Sequence, residues 1–306
     1  MSVPTGTQYI ITRATEQGEA RATVTELAAS LREFSIGGVD LVESYAESAM
    51  PPFADGIVLV PWPNRIEDGR WMLDGAVQQL DITEGDLNNA IHGLLRNTGY
   101  SLIERTPESV TLGATVFPQH GYPFHVHTTV RYELVETGLR VTHTATNLSD
   151  AAAPYALGTH PFFTIGDTPI AQLTLTMTAA TRFESNDRLI PTGEVAVAGT
   201  EFDLSSGRPV GELDLDTAFA GVEVVDGVAA RLTAPDSREL RLMVDENFDF
   251  VQLFTPRNFP TLAGEGQAVA IEPMTGAPNA FNTGRGLLWL EPGVEFEASW
   301  GVEFSA

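Results

Sequence analysis

The chain has 306 residues with 17 basic and 41 acidic side chains, so its formal net charge is 17 − 41 = −24. A surface this acidic repels phosphate backbones and anionic lipids, so neither nucleic acid nor a membrane is expected as a partner. Cysteine is absent and every basic residue is arginine, which excludes disulfides, thiolate nucleophiles, Schiff-base lysines and P-loop lysines.

The N-terminal segment "MSVPTGTQYIITRATEQGEA" has no basic start and no apolar run, so no signal peptide is predicted. No later stretch reaches the roughly 18 apolar residues of a membrane helix. We therefore expect a cytoplasmic location.

Apolar and polar residues alternate with a period of two along much of the chain, which predicts strands. "FSIGGVDL" (34–41) predicts a tight hairpin that turns at its two glycines. "VHTTVRYELVETGLRVTHTATN" (126–147) predicts a longer hairpin that turns at Thr137 and Gly138. Further strands are predicted in "AQLTLTMTA" and "RELRLMVDE", and "GLLWLEPGVEFEASWGVEF" predicts two closing strands joined by a Pro-Gly turn.

Turn signals recur about every 8 to 15 residues, without a Ser/Gly linker, a composition break or an internal repeat. This pattern predicts that residues 1–306 form a single all-β domain. We expect a large antiparallel β-sandwich of two sheets with few short helices.

Four stretches place polar side chains among apolar or turn-forming residues. They are "PWPNRIEDGRW" with Asn64 and Arg65, "NNAIHGLLRNTGY" with His92 and Arg96, "ALGTHPFFTI" with His160, and "AVAIEPMTGAPNAFN" with Glu272.

Glu272 follows a short apolar strand, which we expect Pro273 to end. Partial burial there would raise the pKa of the carboxyl and make it a base usable near neutral pH. The alternative is a glutamate that leaves the sheet into water. His160 precedes a proline and two phenylalanines, which suits a positioned general acid, although a core histidine gives the same pattern.

His92 is followed by Gly93, which we interpret as room for a ligand to approach the backbone. The rigid Pro-Trp-Pro corner predicts that Arg65 projects into a cleft, and Trp62 is interpreted as packing that corner. His125 and His127 would share a strand face, as a metal pair does, with His120 close by. No third ligand has suitable spacing, so no metal site is expected.

In their order along the chain, these stretches resemble the motifs of the aldose 1-epimerase (galactose mutarotase) family. "PNRI", "NNAIHG", "GTHPFF" and "AIEPMTGAPNAFNTG" are each similar to a family motif, and "LDTAF" at 215–219 is similar to its Asp-His-x-Phe segment. The resemblance extends from about residue 8 to the last strand, and "PWPNRI" and "EPMT" are most similar to a bacterial branch. It implies a β-sandwich isomerase that acts on an aldose without a cofactor.

Matched motif by motif, the resemblance implies that Glu272 is the general base and His160 the general acid. It implies that the sugar is bound by His92, Arg65, Asp216 and Asn64. Three residues depart from the family pattern and leave the identity of the sugar open, namely Leu94, Thr217 and Met274.

Interconversion of α and β anomers requires loss of the O1 proton and protonation of the ring oxygen. A carboxylate and an imidazolium on opposite sides of the sugar could do both together, each contributing about 10²–10⁴-fold. Such a reaction needs no metal, cofactor or nucleophile.

Three alternatives stay open at this point. The substrate could be a hexose 6-phosphate or another anionic sugar, for which two or three arginines must converge, with Arg70 and Arg96 as candidates. The protein could be a carbohydrate-binding sandwich without catalysis. It could also be a glycosidase that uses Glu272 and Asp216. The expected partner is a monosaccharide, and the expected assembly is a monomer or homodimer.

Overall fold

The computed structural model describes residues 3–262 and 264–306. About half of these residues lie in strands and very few in helices, as the two-residue alternation predicts. Short 3₁₀ turns occur at Pro52–Ala54, Ile170–Gln172 and Val210–Glu212, and the helix α1 at Ala280–Thr283 has only one turn. The strands, in chain order, are β1 (Gln8–Thr15), β2 (Gly18–Thr25), β3 (Leu31–Ile36), β4 (Val39–Asp40), β5 (Val58–Leu59), β6 (Arg65–Glu67), β7 (Arg70–Leu73), β8 (Ala76–Gln79), β9 (Asn89–Ile91), β10 (Ser101–Arg105), β11 (Ser109–Val116), β12 (Val126–Val135), β13 (Gly138–Asn147), β14 (Ala153–Tyr155), β15 (Gly158–Thr159), β16 (Thr174–Met177), β17 (Ala179–Ser185), β18 (Pro191–Ala196), β19 (Leu204–Pro209), β20 (Asp216–Val222), β21 (Val228–Thr233), β22 (Glu239–Val244), β23 (Phe250–Phe254), β24 (Phe259–Thr261), β25 (Gly264–Gly266), β26 (Ala270–Met274), β27 (Leu288–Leu290) and β28 (Glu295–Ser305).

Two large antiparallel sheets make up the sandwich. The larger has nine strands in the order β10-β11-β12-β13-β28-β22-β21-β16-β19, and the other has seven in the order β18-β17-β20-β23-β26-β15-β5. One cluster of buried apolar side chains takes in both, with Tyr132 and Leu240 from the larger sheet and Leu253 and Ile271 from the smaller. The predicted large antiparallel sandwich is therefore confirmed.

The two predicted hairpins are confirmed. Ile36 pairs with Val39 across the two glycines of the first hairpin. Along β12, buried residues alternate with partly exposed ones, so one face of the strand packs on the core. The second hairpin turns one residue earlier than predicted, because Gly138 already belongs to β13. A Cβ at Gly138 would lie 1.7 Å from the carbonyl oxygen of Val302, so only glycine allows β28 to approach this closely.

The two closing strands exist, but they do not form a hairpin, and that part of the prediction is wrong. β27 pairs with β14 in a small separate sheet. β28 lies inside the nine-stranded sheet, where β13 and β22 occupy its two edges. Since both edges are paired, β27 has no edge of β28 left to join.

The seven-stranded sheet supplies Asp216 and Glu272, and His160 directly follows one of its strands, whereas Arg65 and His92 belong to the separate pair of β6 and β9 or follow it. β20, β23 and β26 are neighbours in that sheet, and β15 follows on the far side of β26. These strands bring the "LDTAF", "GTHPFF" and "AIEPM" segments together. Within the described residues, no helix combines the length and the hydropathy that crossing a membrane requires.

Candidate active site

Three polar side chains from adjacent strands form the floor of the site. Glu272 on β26 pairs in the ladder with Gln252 on β23, and Asp216 begins β20, the strand next to β23. Glu272 is only 2% exposed. The expectation that Pro273 ends the strand is wrong, since β26 continues to Met274. β15 pairs with β26 only at Met274. Pro273, which has no amide hydrogen, is therefore accommodated within the strand.

His160 directly follows β15 and touches Glu272. Its backbone N–H donates to the carbonyl of Ile57, and its carbonyl accepts from the N–H of Gly56, so the loop is fixed on both sides. The ring packs against Phe162, with 5.3 Å between the centroids. The distance from His160 Nε2 to Glu272 Oε1 is 3.4 Å. The two groups therefore lie side by side, whereas the sequence suggested opposite sides of a sugar.

His92 completes this wall through its edge-on contact with His160, at 5.3 Å between ring centroids. Its backbone N–H donates to the carbonyl of Asn64 at 2.9 Å, which joins two of the sequence motifs. Gly93 has φ +74°, and a Cβ there would lie 2.0 Å from the carbonyl oxygen of Val60. The glycine is thus required by its own chain, and the interpretation that it also makes room for a ligand stays a prediction.

Arg65 is held by Glu84. Its Nε and Nη2 each donate to a carboxylate oxygen of Glu84 at 2.9 Å, a two-point contact that fixes the plane of the guanidinium. Asn64 accepts a hydrogen bond from the backbone N–H of Arg65 at 2.9 Å. Glu84 was not singled out in the sequence, because nothing distinguishes "ITEGD" from other acidic turns.

A chain of hydrogen bonds joins Asn64, Gln252 and Asp216. The amide of Asn64 donates to Gln252 Oε1 at 3.2 Å, and Gln252 Nε2 donates to Asp216 Oδ1 at 2.6 Å. The sequence reasoning missed Gln252. The sequence does show a single amide side chain within the apolar strand "FVQLF". Its importance becomes visible only once β23 pairs with β26 and places Gln252 beside Glu272.

These residues line one cavity of about 480 Å³, a volume typical of small-molecule sites. All six residues named as catalytic or sugar-binding contribute to its wall, together with Gln252, Glu84 and Arg96. The six are Asn64, Arg65, His92, His160, Asp216 and Glu272.

The other residues named from the sequence lie elsewhere in the described part of the chain. Arg70 is exposed, does not line the cavity and donates through Nε to Gln79 at 2.8 Å. Trp62 is buried and packs edge-on against Phe281, with 5.4 Å between the ring centroids. None of the three departures from the family pattern lines the cavity, namely Leu94, Thr217 and Met274.

The histidines considered for a metal are apart from the cavity. His125 stacks on Phe117, and His127 Nδ1 lies 3.0 Å from Thr115 Oγ1. Among residues 3–262 and 264–306, no three His, Cys, Asp or Glu side chains are grouped as metal ligands would be.

Burial sets the proton content of the acid–base pair. It raises the pKa of Glu272 well above its usual value; the charge of Asp216 acts in the same direction and Arg65 opposes it. Burial lowers the pKa of His160 to about 4, and the charges of Arg96 and Arg65 contribute. Between the lowered pKa of His160 and the raised pKa of Glu272 the pair therefore holds one proton, which burial favours on Glu272. The pKa of His92 is also lowered well below its usual value, mainly by burial, so His92 is neutral too.

A carboxyl and an imidazole in contact in the wall of a polar cavity make this a β-sandwich protein with a candidate site for a small polar ligand. The model of the family described as aldose 1-epimerase matches residues 15–302, and the chain belongs to this family. It is 32% identical over 277 residues to the uncharacterised protein YihR of Escherichia coli K12. This match covers 90% of this chain and 87% of that protein.

Human galactose mutarotase is 32% identical over 158 residues, or 49% of this chain, and the match spans only 44% of the human protein. The crystal structure of a GalM/aldose epimerase homologue from C. elegans superposes with a TM-score of 0.83 at 22% identity, covering 98% of this chain and 99% of that one. A putative aldose 1-epimerase from Escherichia coli K12 gives a TM-score of 0.82 at 18% identity, with the same coverage. At these identities, the two structures show that the fold is shared.

Proposed function

We propose that this protein is an aldose 1-epimerase that interconverts the α and β anomers of an aldose. Membership of the family supports an isomerase that acts on a sugar. The observation that carries the proposal is the 3.4 Å contact between His160 Nε2 and Glu272 Oε1 in the wall of a sugar-sized cavity.

The chemistry follows from the position of the two reacting oxygens. O1 and the ring oxygen are bonded to the same carbon, so a base and an acid that lie side by side can reach both. Glu272 takes the O1 proton, the bond from C1 to the ring oxygen breaks, and the ring oxygen takes a proton from His160. Rotation about C1–C2 in the open aldehyde exposes its other face. Reclosure returns a proton to His160 and one from Glu272 to O1.

One proton on the pair is enough for this cycle. The reactive arrangement has a carboxylate on Glu272 and an imidazolium on His160, and it differs from the arrangement favoured by burial only in which group holds the proton. The neighbouring groups are suited to hold the sugar during ring opening. We assign sugar binding to Arg65, Asn64, His92 and Asp216, all of which line the cavity.

Polarimetry on freshly dissolved α-glucose and α-galactose tests the proposal. We expect the protein to accelerate mutarotation, and Glu272→Gln and His160→Gln each to lower kcat by about 10²–10⁴-fold, as loss of a general base or acid does. The exposed His120 offers a matched control through His120→Gln.

Other outcomes would identify other functions. A sugar that binds without faster mutarotation would indicate a carbohydrate-binding module. Cleavage of a disaccharide would indicate a glycosidase, in which Glu272 and Asp216 act as the two carboxyl groups. Either result would contradict the proposal.

A further inference from the structure

Arg96 is the arginine of the cavity for which the described residues provide no ion pair, although the charge of Glu84 acts on it at longer range. Arg65 is neutralised by Glu84 through two hydrogen bonds. Within residues 3–262 and 264–306, Arg96 forms no ion pair, and its one hydrogen bond runs from Nη1 to the carbonyl of Ile91 at 3.3 Å. Its Nε is buried without an acceptor. The guanidinium of Arg96 therefore has N–H donors without acceptors and has lost part of its hydration.

The position of Arg96 directs these donors toward ligand space. Arg96 lines the main cavity and also a smaller one of about 50 Å³ next to it. Pro51 and Ala54 belong to both walls, so the two spaces adjoin at Arg96. The smaller space is otherwise lined by Leu27, Met50, Ile57 and Asn97, none of which carries a charge. A ligand group that extends from the main cavity toward it would meet a single positive charge.

We propose that Arg96 recognises an anionic substituent of the sugar, a carboxylate, sulfonate or phosphate, so that the preferred substrate is an anionic aldose. The inference rests on the proposed epimerase function and specifies its substrate class. A guanidinium binds such oxyanions through two parallel N–H donors, and the second bond adds geometric selectivity.

The anion must be carried by a carbon other than C1. O1 has to remain a free hydroxyl, because it is the group that Glu272 deprotonates. The acidic residues also restrict the location of the anion. Asp216 lies on the floor beside Gln252, whereas Arg96 Nη1 donates to the carbonyl of Ile91, the residue before His92, so the cation lies toward the histidine wall. We place the anionic substituent on that side, away from Asp216.

The test compares anomer exchange by NMR for glucose, glucuronate, glucose 6-phosphate and a 6-sulfonated glucose. We expect at least one anionic sugar to exceed glucose in kcat/KM by about tenfold or more, the size of a charge-assisted hydrogen bond. Arg96→Gln should reduce that ratio by about tenfold, mainly through KM. Arg96→Lys, which keeps the charge but loses the fork, should fall between them. The anion that gives the highest ratio identifies the substituent.

The matched control is Arg70→Gln, which removes an exposed arginine outside the cavity and should leave the ratio unchanged. A preference for neutral glucose over all three anionic sugars would overturn the inference, as would equal losses for neutral and anionic sugars in Arg96→Gln. If no sugar is epimerised, the proposed function fails separately. Calorimetric binding of the same sugars then decides the role of Arg96. Tighter binding of an anionic sugar than of glucose, abolished in Arg96→Gln, would support the inference, and no such difference would overturn it.

Discussion

Arg65 and Glu84 form a two-point ion pair at the cavity, with Nε and Nη2 each 2.9 Å from a carboxylate oxygen. Both side chains are largely buried, at 11% and 19% exposure. The amide of Asn89 donates to the same carboxylate at 3.0 Å, so Glu84 is itself held in place. Pairing with Ile91 positions the backbone of Arg65, and Glu84 positions its guanidinium.

This pair predicts a graded effect on sugar binding. Arg65→Ala should raise KM about ten- to hundredfold, since hydrogen bonds from a charged group contribute about 1.5–3 kcal/mol. Glu84→Gln keeps the guanidinium but weakens its fixation, so the rise in KM should be smaller. The exposed pair of Arg13 and Glu108 provides a control in Arg13→Ala. An unchanged KM in Arg65→Ala would remove Arg65 from the site.

The pH dependence should follow the proton count of Glu272 and His160. Below about pH 4, His160 gains a proton while Glu272 keeps its own, so the pair has no base and kcat/KM falls as pH falls. Above the raised pKa of Glu272, the pair loses its only proton, and kcat/KM falls as pH rises. Profiles measured with a neutral sugar report these two limits.

Asp216→Asn should move the alkaline limit. The charge of Asp216 raises the pKa of Glu272, so its removal lowers that pKa and shifts the alkaline fall in kcat/KM to lower pH. The position of the limit is the readout, because loss of a sugar contact alone would reduce activity at every pH. A limit that stays in place, or moves to higher pH, would contradict the coupling between Asp216 and Glu272.

Gln252 should prove necessary for the site, although it has no chemistry of its own. Gln252→Leu would leave the buried amide of Asn64 without its partner, at a cost of about 1–3 kcal/mol, and would release the exposed carboxyl of Asp216 from its hydrogen bond. We expect a lower free energy of unfolding, measured by urea denaturation, and a higher KM. Gln119→Leu, at an exposed glutamine, is the control. Equal stability of the two variants would show that the hydrogen-bonded chain contributes nothing.

The strands were predictable from the sequence because alternation is a local property. In the stretch from Val126 to Leu134, the alternation of residue types in the sequence already indicates which side chains are buried. Strand pairing was less predictable, because it depends on distant segments. β28 lies between β13 and β22, so the expected hairpin with β27 does not form. The single domain proposed for residues 1–306 stays a prediction.

The candidate site was predictable where a short motif marks each residue, and six such residues line one cavity. Gln252 and Glu84 were missed because their importance arises from partners far along the chain. The contact between His160 and Glu272 is likewise a product of β15 and β26 being neighbours. No spacing along the sequence reveals this contact. The expectation of two groups on opposite sides of the sugar therefore did not include it.

A buried acid, Asp55, and a partly buried one, Glu43, lie behind the loop that carries His160. Asp55 Oδ1 accepts a hydrogen bond from the backbone N–H of Phe162 at 3.4 Å, while Oδ2 is buried without a partner. The backbone N–H of Glu43 donates to the carbonyl of the same phenylalanine at 2.8 Å. Burial, followed by the charge of Asp40, raises the pKa of Glu43 to about 7. Burial also raises the pKa of Asp55 well above its usual value, with Glu43 contributing.

Asp55→Asn should therefore stabilise the protein at alkaline pH. A carboxyl whose pKa is raised by folding binds more protons in the folded state, so its contribution to stability falls as pH rises from its unfolded value through its folded value. For Glu43 this window runs from about 4.5 to about 7, and for Asp55 it begins near 3.8 and extends well above it. Asparagine keeps the shape and removes the ionisation, so the gain in the free energy of unfolding should be small near pH 4 and largest near about pH 8. Urea denaturation across this range, with the exposed Asp74→Asn as control, measures the difference. A variant that is less stable than the parent at every pH would show that Asp55 is ionised and needed as a carboxylate.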